Sequence, residues 1–123
     1  MKTLLIAGAL LMASAVALGA FGAHGLKDKL ALDMLQVYQT GVEYHFFHAL
    51  GILLIGVIAG FYPNVSGVQW AGWLLIAGVL LFSGSLYVLA LSGIKGLGAI
   101  TPIGGMAFII GWVTLAVSLY RQS

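Results

Sequence analysis

The sequence contains no cysteine and very little charge. Without cysteine, disulfides, thiolate metal sites and a cysteine nucleophile are all excluded. Only 7% of the 123 residues are charged, and five Lys and Arg against three Asp and Glu give a formal net charge of +2. So few cations cannot form the basic surface that nucleic-acid binding requires, and no nucleic-acid partner is expected.

Hydrophobic residues take the place of the missing charges. They make up 62% of the chain, whereas a soluble domain has roughly 45–50% apolar and about 25% charged residues. A water-soluble fold of this length could not bury so much apolar surface. The composition therefore indicates an integral membrane protein, with residues 1–123 forming one domain.

Four apolar stretches fill most of the chain, at about 3–22, 41–61, 68–91 and 102–120. A helix of about 20 residues, rising ~1.5 Å per residue, crosses a ~30 Å hydrocarbon core. The first stretch resembles a secretory signal, but its apolar run exceeds the ~7–15 residues usual for one, so we expect an uncleaved helix. The pattern predicts an all-α protein with four membrane spans.

The connections between the stretches predict how the spans are arranged. Because they are short, successive spans should be antiparallel, in an up-down four-helix bundle with both ends on one side. In the first connection, Leu30, Met34, Val37 and Tyr38 share one helical face, which predicts a short interfacial amphipathic helix between spans 1 and 2. A plain polar loop is the alternative.

Small residues at four-residue spacing predict where the helices pack, since lipid gives no hydrophobic reason for helices to associate. The candidates are Ala9, Ala13 and Ala17 on the first span, Gly56 and Gly60 on the second, and Ala107 and Gly111 on the fourth.

Orientation in the cell (inner) membrane follows from the basic residues. Three lysines lie in the first and third connections, against one cation near each end of the chain, which favours both termini outside.

Eight polar side chains lie near the helix ends that share the side of the first and third connections. They form the candidate polar pocket: His24, Glu43, Tyr44, His45, His48, Ser83, Tyr87 and Thr101. Polar groups near lipid usually face the bundle interior or a water-filled cavity. Five of them, His24, His48, Ser83, Tyr87 and Thr101, are predicted to form one continuous patch. The alternative is that these side chains are interfacial and bond the backbone, headgroups or one another.

Helical geometry separates the polar residues of the second span. At about 100° per residue, Tyr44, His45 and His48 share a face with Gly41, whereas Glu43 points roughly 140–160° away from the histidines. The two histidines lack the spacing and the base of a zinc protease, and a metal site would need His24 to join them. No metal and no cofactor are expected.

Several short blocks carry a family resemblance. They are GAFGAHGL at 19–26, TGVEY at 40–44, HAL at 48–50, FSGSLY at 82–87, ITPIGG at 100–105 and GW at 111–112. They resemble the YwdK/YgdD family of small bacterial membrane proteins. The resemblance implies a four-span inner-membrane protein and lends no activity. One departure is Tyr38, where the family resemblance leads us to expect tryptophan.

No segment has the pattern of a catalytic motif, so an enzyme is not expected. The leading hypothesis is a small non-enzymatic accessory or assembly component of a membrane complex. Its partners would be the lipid bilayer and either another membrane protein or further copies of the chain. The alternative is a permeation unit for a small solute, an ion or protons, lined by the polar pocket. A third hypothesis is an enzyme acting on a lipid or quinone at the interface.

Overall fold

A computed structural model describes residues 1–122, in which every regular element is helical. The α-helices are α1 (Lys2–Phe21), α2 (Leu32–Phe61), α3 (Ser66–Gly78), α4 (Gly84–Ser92) and α5 (Thr101–Tyr120). The all-α prediction is confirmed for this part of the chain.

Two π-helical turns and a 3-10 helix extend these α-helices. Gly22–Leu26 continues α1, Val79–Ser83 joins α3 to α4, and the 3-10 helix Lys95–Ala99 precedes α5. The result is four helical rods long and apolar enough to cross a membrane, as predicted. We name them span 1 (Lys2–Leu26), span 2 (Leu32–Phe61), span 3 (Ser66–Ser92) and span 4 (Lys95–Tyr120).

Span 2 is longer than predicted, because α2 begins at Leu32 and runs unbroken for 30 residues. At ~1.5 Å per residue it is about 45 Å long, which exceeds the ~30 Å hydrocarbon core. The segment predicted as a separate short helix forms the first turns of α2 instead. Tyr38 ties these turns to span 1, since its side chain is 1% exposed and its hydroxyl donates to the Leu18 carbonyl oxygen at 2.5 Å.

Spans 2 and 3 form the centre of the molecule. In the most apolar 18-residue stretch of each span, 44% and 39% of the residues of spans 2 and 3 are buried, against 17% and 22% for spans 1 and 4. α1 packs mainly on α2, and α5 mainly on α3. The main core therefore lies along spans 2 and 3 and receives Leu4 from α1 and Phe108 from α5.

Two of the predicted small-residue contacts hold. A Cβ at Gly56 would lie 2.8 Å from Leu5 Cδ2, and one at Gly111 would lie 2.9 Å from Leu75 Cδ2. These glycines thus allow α2 to approach α1 and α5 to approach α3.

The prediction for span 1 is wrong in its choice of face. Ala9, Ala13 and Ala17, which we call the alanine stripe, are all exposed. α1 instead buries Leu4, Gly8 and Ala15, whose face lies about 160° from the stripe at 100° per residue. Span 1 carries small residues on two faces, and the one bearing leucine and glycine fits the core.

α5 begins without a side-chain cap. Ile100 occupies the N-cap position, and Thr101 is already the first helical residue. The Thr101 hydroxyl does not cap the helix, because it is hydrogen-bonded to Ser85 Oγ at 2.6 Å.

Candidate functional site

The eight residues of the predicted polar pocket differ widely in burial. His45, His48 and Ser83 are buried, Tyr87 and Thr101 are half-buried, and His24, Glu43 and Tyr44 are exposed. The positions of these side chains show which of them the fold brings together.

His45 links three spans through a partly buried hydrogen-bond network. Its Nε2 lies 3.1 Å from Ser14 Oγ of α1, and its Nδ1 lies 2.8 Å from the Tyr87 hydroxyl of α4. The His45 side chain is only 3% exposed. Both ring nitrogens thus find partners on neighbouring helices.

The direction of each bond in the network follows from the number of available protons. The Ser14 hydroxyl donates to the Leu11 carbonyl oxygen at 2.9 Å, so its single proton is already used. Ser14 Oγ must therefore accept from His45 Nε2–H. In a neutral imidazole the other nitrogen is then an acceptor, and the Tyr87 hydroxyl donates to Nδ1. For a neutral His45, the network therefore selects the tautomer protonated at Nε2.

Ser83 provides a second bond between spans 2 and 3. It ends the π-helical turn, is completely buried, and donates from Oγ to the Gly41 carbonyl oxygen at 2.7 Å. Tyr87, one turn further, reaches the same helix through His45. The prediction that Ser83 and Tyr87 share a face and bond inside the protein is confirmed.

His48 belongs to a different environment. Its Nδ1–H donates to the Tyr44 carbonyl oxygen at 2.8 Å, one turn back in α2. The ring stacks on Phe108 of α5 with centroids 3.6 Å apart and lies 5.9 Å from the Trp112 ring. His48 is thus buried among aromatic rings facing span 4, as its predicted inward orientation requires, but it is not part of the His45 network.

The single polar patch predicted for five of these residues is therefore wrong. Thr101 bonds Ser85 of span 3, and His24 is exposed in the π-helical turn Gly22–Leu26. The physical reason is the position of the outer helices: α1 packs on α2 and α5 on α3, with little or no contact between α1 and α5. Thr101, Ser83 and Tyr87 bond neighbouring helices separately, His48 bonds its own helix, and the five residues do not form one continuous patch.

Within residues 1–122, no group of three His, Asp or Glu side chains could hold a metal ion. His24 does not join His45 and His48, the combination that a metal site would have required.

Glu43 lines an open groove between span 1 and α2, which we call the Glu43 groove. Its volume is about 210 Å³. Glu43, Gln39, Val42 and Tyr38 of α2 form one wall, and the other comes from span 1 with Gly19, Gly22 and Ala23. In keeping with its predicted direction, Glu43 points away from the buried histidines.

Sequence reasoning missed three residues that make these contacts, namely Ser14, Tyr38 and Ser85. For Ser14 a signal was available, because it is the sole polar side chain among residues 4–23. Tyr38 was noted on the face of the predicted amphipathic helix and as a departure from the family resemblance, but not as a contact between spans 1 and 2. Ser85 has no distinguishing spacing in the sequence.

Comparisons with known proteins agree with this membrane architecture. Residues 18–105 match the family described as "Protein of unknown function (DUF423)". The chain is 51% identical to UPF0382 membrane protein YwdK of Bacillus subtilis (strain 168), over 98% of both chains. It is also 51% identical, over 98% of both chains, to a UPF0382 membrane protein of Staphylococcus haemolyticus (strain JCSC1435). No solved structure matches the chain.

Proposed function

This chain belongs to the DUF423 family of UPF0382 membrane proteins, and from that premise we propose that it is a small non-enzymatic accessory or assembly component of a larger membrane complex. In this proposal the four spans run up and down across the inner membrane with both ends on the outer side, and the first turns of α2 lie in the interface. The partner contacts the outer face of span 1.

The closed interior supports a role that does not involve transport through the molecule. Within residues 1–122 every buried side-chain nitrogen or oxygen has a hydrogen-bond partner. Of the residues that a permeation path would use, His48 is covered by Phe108, while His24 and Glu43 lie on the outer surface. A permeation unit has less support, because a conducting path needs polar side chains that face water inside the protein.

The alanine stripe is the observation that carries the proposal. Ala9, Ala13 and Ala17 are exposed on the face of α1 that points away from the core. Small residues four apart let two helices approach closely within a bilayer, where packing rather than hydrophobicity drives association. Only 17% of the residues in the most apolar 18-residue stretch of span 1 are buried within this chain, so most of its surface is available to a partner helix.

Cysteine crosslinking combined with native mass spectrometry tests this role. Since the chain has no cysteine, Ala13→Cys gives a single reactive site on the stripe. Ile109→Cys on α5, also exposed, is the matched control. We expect Ala13→Cys to crosslink one stoichiometric foreign membrane protein and the control to crosslink none. Ala13→Leu should then abolish co-purification while the helical content stays unchanged.

Two results would count against the accessory role. Native purification that yields the chain without a stoichiometric partner would refute it. A homo-oligomer with histidines accessible to aqueous reagents would favour the permeation alternative.

A further inference from the structure

The Glu43 groove contains a carboxylate without a counter-charge. Glu43 is exposed in the groove and makes no ion pair or hydrogen bond with another side chain among the described residues. The neighbouring lysines, Lys27 and Lys29, follow span 1 in the connection to α2 and form no ion pair with it. A cation that neutralises Glu43 must therefore come from outside the chain.

The depth of Glu43 along α2 indicates where that cation is found. α2 ends at Phe61, next to Tyr62, and the exposed Trp70 lies on the following helix. Aromatic residues of this kind mark a membrane interface. A core ~30 Å thick takes about 20 helical residues, which places the opposite boundary close to residue 42. Glu43 therefore lies where hydrocarbon meets the headgroups.

At this depth an unpaired carboxylate is costly, since charged groups near hydrocarbon normally pair or reach water. Phospholipid headgroups supply ammonium groups at this level of the bilayer. A primary ammonium has three N–H donors, and each can donate to a carboxylate or an amide oxygen. Gln39, one helical turn before Glu43, presents such an amide in the same groove.

The shape of the groove suits a headgroup rather than a larger solute. Its volume of about 210 Å³ is below the ~300–1,000 Å³ of typical small-molecule pockets. At Gly19 the span 1 wall carries no side chain, which lets a glycerol backbone lie against the helix, whereas the space beside Gly22 is already filled by the Tyr38 ring. Lys27, one turn beyond Ala23, carries the charge that a headgroup phosphate would pair with.

From these observations we propose that the Glu43 groove binds a phospholipid with a primary ammonium headgroup, of the phosphatidylethanolamine type. The Glu43 carboxylate accepts hydrogen bonds from the ammonium. A phosphatidylcholine headgroup has the same charge but no N–H donor, so it binds more weakly. An anionic headgroup without an amine is repelled by Glu43.

Native mass spectrometry of the purified full chain in mixed micelles tests the proposal. The micelles contain equal amounts of phosphatidylethanolamine and phosphatidylcholine with identical acyl chains, and the bound lipids are counted. Only the primary ammonium can donate charge-assisted hydrogen bonds to Glu43, so we expect the wild type to retain phosphatidylethanolamine about tenfold over phosphatidylcholine. Glu43→Gln should bring this ratio close to one, and Glu43→Asp should retain part of the preference.

Asp28→Asn is the matched control, because Asp28 is an exposed carboxylate in the first connection outside the groove. It should keep the wild-type ratio. The same ratio in wild type and Glu43→Gln would overturn the proposal, and so would an equal retention of the two lipids by the wild type. That second comparison needs no variant, so the proposal stays testable if Glu43→Gln does not fold. Equal retention, together with crosslinking of Gln39→Cys to a membrane protein, would assign the groove to a basic side chain of that protein.

Discussion

Removing the Tyr87 hydroxyl should destabilise the protein by leaving a buried acceptor unpaired. In Tyr87→Phe, His45 Nδ1 loses the donor that lies 2.8 Å away in the wild type. His45 is 3% exposed, so water cannot easily replace the phenol. An unsatisfied buried acceptor costs about 1–3 kcal/mol in soluble proteins, whereas interhelical hydrogen bonds in a membrane protein average about 0.6 and reach about 1.7 kcal/mol. We expect the free energy of unfolding to fall by about 1–1.5 kcal/mol.

A double-mutant cycle with His45→Leu separates this bond from general packing. Once His45 is gone, Nδ1 no longer needs a donor, and Tyr87→Phe should cost less than it does in the wild type. The coupling energy should be about 1 kcal/mol, which residues in direct contact commonly show. The assay is unfolding of the purified protein by SDS titration in mixed micelles, followed by circular dichroism. Tyr44→Phe is the control, because Tyr44 is exposed, and changes at such positions usually stay within about 0.5 kcal/mol.

NMR can test which atom donates in each hydrogen bond of His45 with Ser14 and Tyr87. Nitrogen-15 NMR of labelled histidine should show His45 neutral and protonated at Nε2, because Ser14 can only accept there. Additive costs in the cycle, or an imidazole protonated at Nδ1, would refute the network as described.

Three further outcomes are expected. Gly104→Ala should destabilise the protein by about 1–3 kcal/mol, because its Cβ would overlap the backbone of Phe82. The control Gly105→Ala should be tolerated, since its Cβ would lie 3.8 Å from the nearest Phe82 atom. Similar melting temperatures for the two variants would contradict this packing. Ser83→Val should lower thermal stability in detergent, because it removes the hydrogen bond to the Gly41 carbonyl oxygen from a fully buried site. An unchanged melting temperature would mean that this bond does not stabilise the protein. Single cysteines can be placed in the first, second and third connections at Lys27, Asn64 and Lys95. Membrane-impermeant thiol reagents should label the first and third from one side of the membrane and the second from the other. Labelling of all three from one side would exclude four spans.

The sequence predicted those features that depend on one helix at a time. Length and hydropathy are local properties, so the four spans emerged from composition and run length alone. The inward faces of Ser83 and Tyr87 followed from their four-residue spacing, and the contacts of Gly56 and Gly111 followed from small residues at the same spacing.

Features that depend on how two helices are rotated against each other could not be predicted. The pairing of His45 with Ser14 requires α1 to turn one particular face inward, and its small residues fit two faces equally well. The contact of His48 with Phe108 requires α5 to pack beside α3. The convergence of helix ends was inferred from antiparallel order, which fixes the depth of each residue but not its neighbours around the molecule.

The π-helical turn Val79–Ser83 has a consequence for how span 3 relates to its sequence. A π-helical turn accommodates about one residue more than the α-helical turn it replaces. Each residue after Ser83 therefore occupies the position around the helix axis that its predecessor would occupy if α3 continued as an uninterrupted α-helix. α3 packs chiefly against α5, whereas α4 contacts α2. The extra residue lets α3 turn one face toward α5 while α4 turns a different face toward α2. A straight α-helix through the same residues would rotate Tyr87 by about 100° and carry its hydroxyl away from His45. A single-residue deletion within the turn would instead restore a continuous α-helix and keep Tyr87 on its present face, and aligning span 3 with an uninterrupted helix requires a one-residue gap at this turn.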